Sequence, residues 1–287
     1  MKIPTQSLFA FALLSVTQAG CFAVADLDRF EFDDATGGMC SGTNASAARD
    51  LNFLMRDMPH LGKHTEVRVI GTSGAQLNRV EALAIYEGLP SRDLTVFMPN
   101  AIREGAFRVD FWCDVTVENR TLDPAPVDHS WSVDGVTVDP THQSSSGVFQ
   151  SGCIQFDHQG SFAPLLNTTE FPIDASDRQD MQIQLTGMDE FGDVPLEMRV
   201  IVPGSTRRTI GMFRYQLVRH DPDLEIRLPG IATVGDPYDL EFYIDMNDNL
   251  AFDIGTDRSW IVEDVVVSTA EPILTVNRPA VETPLSY

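Results

Sequence analysis

The residues whose types and spacing could do chemistry fall in one short stretch, Asp245-Met246-Asn247-Asp248-Asn249-Leu250-Ala251-Phe252-Asp253, followed by Asp257. A hard cation such as Ca²⁺ takes about six to eight oxygen ligands, and acid and amide side chains alternating on a tight loop can supply them. Asp245, Asn247, Asn249, Asp253 and Asp257 would offer side-chain oxygens, and Ala251 its carbonyl. The expectation is a Ca²⁺ site, the one cofactor the sequence points to.

The spacing matches the opening of an EF-hand loop, then departs from it. Leu250 stands where that motif has Gly, and Thr256 where its bidentate Glu should sit. The flanking sequence reads as strands, so the expected site is a calcium loop at the edge of a β-sandwich. The competing reading is a polar turn, since Asn and Asp are ordinary turn formers. Earlier in the chain Asp114, Asp123 and Asp128 stand opposite Asp245, Asp253 and Asp257, while Thr116 and Glu118 stand opposite the two asparagines.

Other constellations carry less. His60 and His64 have helical spacing, but Pro59 and Gly62 put them in a loop, and there is no HExxH. His129 and His158 correspond to Arg258 and Arg278 in the later half of the chain, which argues against an inherited catalytic set. No G-x-S-x-G elbow and no phosphate-cradling glycine loop is present. A non-enzyme is expected, with no catalytic residue assigned.

The elements that position these residues come in two copies. Residues 50–70 (DLNFLMRDMPHLGKHTEVRVI) align with 180–201 (DMQIQLTGMDEFGDVPLEMRVI) with one insertion. FRVDFWCD at 107–114 meets YDLEFYID at 238–245, DHSWSV at 128–133 meets DRSWIV at 257–262, and 153–165 meets 273–285. A collinear series of this kind means duplication.

Phe107-Val109-Phe111-Cys113 and Tyr238-Leu240-Phe242-Ile244 alternate with period two, the pattern of half-buried strands. The stretch AQLNRVEALAIYEGL could pass for a helix, but its partner TIGMFRYQLV has strand composition, so both are read as strands. The fold class is all-β: two tandem antiparallel β-sandwich domains, immunoglobulin-like in architecture, after a signal peptide and a flexible tether. The layout runs as signal peptide 1–20, tether 21–48, first sandwich 49–166, linker 167–178 and second sandwich 179–287.

Met1-Lys2, an apolar run over 8–16 and small residues after it form an export signal, too short to span a bilayer. Gln18-Ala19-Gly20-Cys21 resembles a bacterial lipobox, with Gln18 where Leu is usual, which would make Cys21 a lipidated N-terminus. The rival site is Ala23-Val24-Ala25, which would release a soluble periplasmic or secreted protein. Either cleavage leaves Cys40, Cys113 and Cys153 as thiols. Cys113 is in phase with core residues and Cys153 faces outward, so Cys40–Cys153 is the favoured disulfide and Cys113–Cys153 the alternative.

The chain carries 42 Asp and Glu against 20 Lys and Arg, a net charge of −22. Phosphate contacts need clustered cations, so no nucleic-acid partner is expected. With 43% hydrophobic residues over 287 positions, the chain can bury a sizeable core.

The lipobox-like cysteine, the small-residue tether and the paired D-x-S-W segments together resemble uncharacterised bacterial surface lipoproteins with tandem immunoglobulin-like domains. That resemblance implies an outer-membrane or cell-surface location and a membrane partner reached through the lipid anchor. The expected function is a non-catalytic binding or structural role at the envelope, calcium-stabilised, toward a protein or glycan. The alternative is a calcium-dependent carbohydrate-binding module or the accessory part of an extracellular hydrolase. Sugar platforms expose aromatics, so burial of Trp112, Trp131 and Trp260 separates the two readings.

Overall fold

A computed structural model describes residues 48–103, 105–116, 119–123, 127–138, 153–158, 178–205, 207–217, 223–269 and 273–285, with backbone alone at 48, 49, 137, 138 and 153–157. The expected signal peptide, Cys21, Cys40, the tether to residue 47 and the linker to residue 177 lie outside these residues.

Among the described residues seven strands form in each copy, in the same order. The first copy has β1 (Ala48–Arg56), β2 (Thr65–Gly71), β3 (Val80–Tyr86), β4 (Leu94–Arg103), β5 (Gly105–Cys113), β6 (His129–Val138) and β7 (Cys153–Asp157). The second has β8 (Arg178–Thr186), β9 (Pro195–Val202), β10 (Arg208–Gln216), β11 (Asp223–Thr233), β12 (Pro237–Ile244), β13 (Arg258–Val266) and β14 (Ile273–Asn277). The ambiguous stretch is a strand, β3, preceded by one short 3-10 turn at Gly74–Gln76. No helix among the described residues is long and apolar enough to cross a membrane.

Each copy pairs its strands identically. The first has a three-stranded sheet β4-β1-β7 and the order β3-β2-β5-β6; the second has β11-β8-β14 and β10-β9-β12-β13. An immunoglobulin domain pairs its first, second, fifth and fourth strands in one sheet. Here the second strand lies between the third and the fifth, so the likeness to immunoglobulin domains is one of architecture.

The two four-stranded sheets are continuous. β3 and β10 pair in parallel, Leu83 with Gly211 and Ile85 with Phe213, which produces one eight-stranded sheet. Alternate residues of β3 then serve different cores. Leu83 and Ile85 pack with Met198, Phe213 and Leu228 of the second copy, while Ala82, Ala84 and Tyr86 pack with Phe53, Val96 and Phe111 of the first. Met212 of β10 returns the exchange by joining the first core. Equivalent strands paired in parallel, with cores on opposite faces, define a pseudo-twofold axis running along the strands.

The period-two residues face inward as their spacing predicts. Phe107, Val109, Phe111 and Cys113 are 0% exposed, as are Leu240, Phe242 and Ile244. Full burial of each large apolar side chain stabilises by roughly 1.5–3 kcal/mol. Polar bonds also bind the seam. Arg208 Nη1 donates to Glu81 O at 3.2 Å and Asn100 Nδ2 donates to Arg207 O at 3.1 Å, while Arg103 Nη2 holds Glu81 Oε2 at 2.6 Å from within the first copy. Burial, then the neighbouring Arg103, pushes Arg208 down to about 10.

Candidate functional site

The loop from β12 to β13 carries every residue of the expected calcium set. Asp245 is fully buried at the loop's root. Its Oδ1 accepts from Asn249 N at 3.1 Å, and its Oδ2 accepts from Leu250 N at 2.9 Å and from Arg214 Nη2 at 2.6 Å. Asp257 accepts from Met246 N at 2.8 Å and Asp253 N at 2.7 Å. Asn247 and Asn249 turn their amide nitrogens to Asp253 Oδ2, at 2.8 and 2.6 Å. Ala251 donates its N–H to Asn249 Oδ1 at 3.0 Å. These oxygens are engaged by N–H donors, an arrangement that fastens a polar turn. Among the described residues no group of three or more His, Cys, Asp or Glu is placed to hold a metal ion.

The β5–β6 loop repeats the same fastenings. Asp128 accepts from Val115 N at 3.1 Å and Asp123 N at 2.7 Å, as Asp257 does from Met246 and Asp253. Asp114 Oδ2 accepts from Arg120 N at 2.8 Å, as Asp245 does from Leu250. Asn119 Nδ2 donates to Asp123 Oδ2 at 2.9 Å, and its Oδ1 accepts from Thr121 N at 2.9 Å. Asn119 is therefore the partner of Asn249, where the sequence alignment had set Glu118. One residue more lies between the first two acids of the earlier loop, Asp114 and Asp123, than between Asp245 and Asp253, which moved the register by one.

Both loops also share a strained residue. Leu250 (φ 66°) and Arg120 (φ 58°) take the left-handed conformation in which glycine is expected. Each gains an N–H bond to the buried first acid, which offsets a cost of about 1–2 kcal/mol. Burial raises the carboxyls of Asp128 and Asp257, while the amides each accepts from pull the other way.

Beside each loop lies a second matched cluster that sequence reading missed. His60 follows β1, His129 opens β6 and His158 follows β7; Glu190 follows β8, Arg258 opens β13 and Arg278 follows β14. The three imidazoles surround the buried Trp131, and the Arg258 and Arg278 guanidinium groups lie over the buried Trp260. The signal was present as the His129/Arg258 and His158/Arg278 correspondences, but nothing in the sequence joined them to His60 and Glu190. His64 does not join the trio: its ring lies 5.3 Å from Trp112, with Nδ1 3.3 Å from Glu87 Oε2.

The three indoles are buried, at 1%, 1% and 0% exposure for Trp112, Trp131 and Trp260. Trp131 stacks on Phe111 at 5.3 Å and Trp260 on Phe242 at 5.5 Å. Cys113 is a buried free thiol, its Sγ 3.3 Å from Thr65 Oγ1. Cys153 is described in backbone alone, paired with Asn52 at the start of the β1–β7 ladder. A cavity of about 400 Å³ lies where β2 and β3 meet β8 and β11. Both arginines in its lining pair within the protein, Arg120 with Glu87 at 3.1 Å and Arg227 with Asp180 at 2.6 Å.

An all-β chain of two sandwiches sharing a sheet is the class this fold defines. No family model matches the sequence, and no curated protein matches it. Among solved structures the chain is similar to the tip fimbrial protein Mfa3 from Porphyromonas gingivalis with C-terminal truncation. The identity is 10% and the TM-score 0.23, over 75% of this chain and 81% of that one. At that distance the function has to be argued from this chain's own geometry.

Proposed function

We propose that this is an exported, non-catalytic envelope protein, anchored through a lipidated Cys21 and serving a structural or binding role outside the cytoplasm. The observation that carries the reading is the burial of Trp112, Trp131 and Trp260, at no more than 1% exposure each. Trp131 and Trp260 sit in the two cores and Trp112 is buried beside His64, so none of the three is displayed as a sugar platform requires. The loop acids, fastened to backbone amides in both copies, support a rigid scaffold in preference to a reactive centre.

Two measurements on the full chain test the parts separately. Expressed in a bacterium with radiolabelled palmitate, wild type should be labelled and Cys21→Ala should not. A soluble, unlabelled mature protein starting at Asp26 would overturn the anchor. A glycan array should be silent with and without chelator, and chelator-sensitive sugar binding would replace this reading with a calcium-dependent carbohydrate module.

A further inference from the structure

We propose that the imidazole trio His60, His129 and His158 is an acid-released clamp on the first sandwich, while its counterpart in the second stays closed. The inference does not depend on the envelope reading above.

The two clamps join the same elements by different chemistry. In the second copy Glu190 Oε1 lies 2.6 Å from Arg278 Nη1 and 3.8 Å from Arg258 Nη1. Both guanidinium groups lie over the Phe191 ring, 4.9 and 5.1 Å from its centroid, and over Trp260 at 5.8 and 5.2 Å. Arg258 Nε also lies 2.6 Å from Glu282 Oε1. Arginine keeps its charge at any accessible pH, so this clamp contains no imidazole whose protonation would open it.

In the first copy His60 Nε2 lies 2.5 Å from His129 Nδ1, with ring centroids 4.5 Å apart. The His158 ring stands 5.6 Å from Trp131, on which the other two rings also converge at 6.4 Å. A nitrogen pair at that distance needs one N–H and one lone pair. Protonating both rings removes the lone pair and places two cations side by side.

The charged groups facing the trio deepen the effect. Lys63, in the same loop as His60, adds a further positive charge, and His158 opposes protonation of both partners. Asp128 is the acid facing His129, but its oxygens already accept from Val115 and Asp123. Burial, then His129, His158 and Lys63, holds His60 down to about 4. Burial also holds His129 below its ordinary value, against the pull of Asp128.

The sign follows. Both folded-state values lie below the unfolded one, so the unfolded chain binds protons first. The clamp's stabilisation is complete above about pH 6.5 and is lost as pH falls toward 4. Asp128 and Asp257 occupy matched positions, so their own titration largely cancels when the copies are compared.

The test is amide exchange of the full chain at about pH 7 and pH 5, corrected for the intrinsic pH dependence of exchange. Exchange around residues 57–64 and 127–133 should accelerate about tenfold, the effect of one pK unit of differential protonation. The counterparts at 187–194 and 256–262 should hold steady. His60→Glu, His129→Arg and His158→Arg together, which transplant the second copy's clamp, should remove the acceleration. If that triple variant fails to fold, His129→Gln alone should still reduce it. Equal acceleration in both copies, or an unchanged acid response in the variants, would overturn the clamp.

Discussion

Arg214 Nη2 lies 2.6 Å from Asp245 Oδ2, deep in the protein, with the two side chains 6% and 0% exposed. Arg214 belongs to β10, the strand that pairs with β3, and Asp245 is the first residue after β12. The guanidinium thus reaches past β9 and fixes the root of the β12–β13 loop to the shared sheet. On the way it passes Glu197 at 3.5 Å, which also accepts from Arg199 Nε at 2.8 Å. Burial alone would lower Arg214, but Glu197 and Asp245 outweigh it and hold the guanidinium above its ordinary value.

A buried ion pair broken on one side costs more than the pair contributes, because the remaining charge stays desolvated. Arg214→Met should therefore cost about 3–5 kcal/mol in urea unfolding. In Arg214→Met/Asp245→Asn the orphaned charge is gone, and part of the loss should return. Equal losses in the single and double variants would show that Arg214 acts through packing alone.

The loop acids should behave as turn fasteners. Asp257→Ala removes the acceptor of the Met246 and Asp253 amides, and each lost part-buried hydrogen bond costs about 0.5–1.5 kcal/mol. The melting temperature should fall by the same amount in Ca²⁺ and in chelator, and the matched Asp128→Ala should do likewise. A rise in melting temperature with Ca²⁺ that Asp253→Ala abolishes would instead establish the cation site that the spacing suggests.

Leu83 should couple the copies. It is 0% exposed and sits on a first-copy strand inside the second copy's core. Leu83→Ala should cost about 2–5 kcal/mol. Because one sheet carries both cores, unfolding followed through Trp131 and through Trp260 should give coincident transitions. Two separated midpoints would mean that the seam does not join them.

Gly211 fills a position where a side chain has no room. A Cβ there would lie 2.8 Å from Ile231 Cδ1, 3.3 Å from Leu228 Cδ1 and 3.4 Å from Val200 Cβ. Gly211→Val should destabilise by about 1–3 kcal/mol through overpacking, measured by denaturant unfolding. A neutral result would show that the sheet can move apart at the seam.

Burial pushes the Cys113 thiol up to about 12, so almost no thiolate exists at neutral pH. Iodoacetamide should leave Cys113 unmodified in the folded chain and alkylate it fully in denaturant, read by peptide mass. Labelling under native conditions would reveal local opening of β5.

The sequence by itself determined the strands, the duplication and the inward faces, because period-two alternation is local and survives any arrangement of the strands. It held the acids of both loops as well, since Asp245, Asp253 and Asp257 recur as Asp114, Asp123 and Asp128. Which donors those acids accept from was decided by tertiary structure. A carboxylate facing amides and one awaiting a cation have the same spelling, and only the fold supplies Arg214 and the left-handed turn at Leu250. The partnership of Asn119 with Asn249 was hidden by one extra residue in the earlier loop, which the hydrogen bonds place before Asn119. Long-range pairing decided the rest: β3 meets β10 across more than a hundred residues, and His60 in the β1–β2 loop meets His129 at the start of β6. Contacts of that kind depend on how sheets close over one another, and no local pattern of residues encodes them.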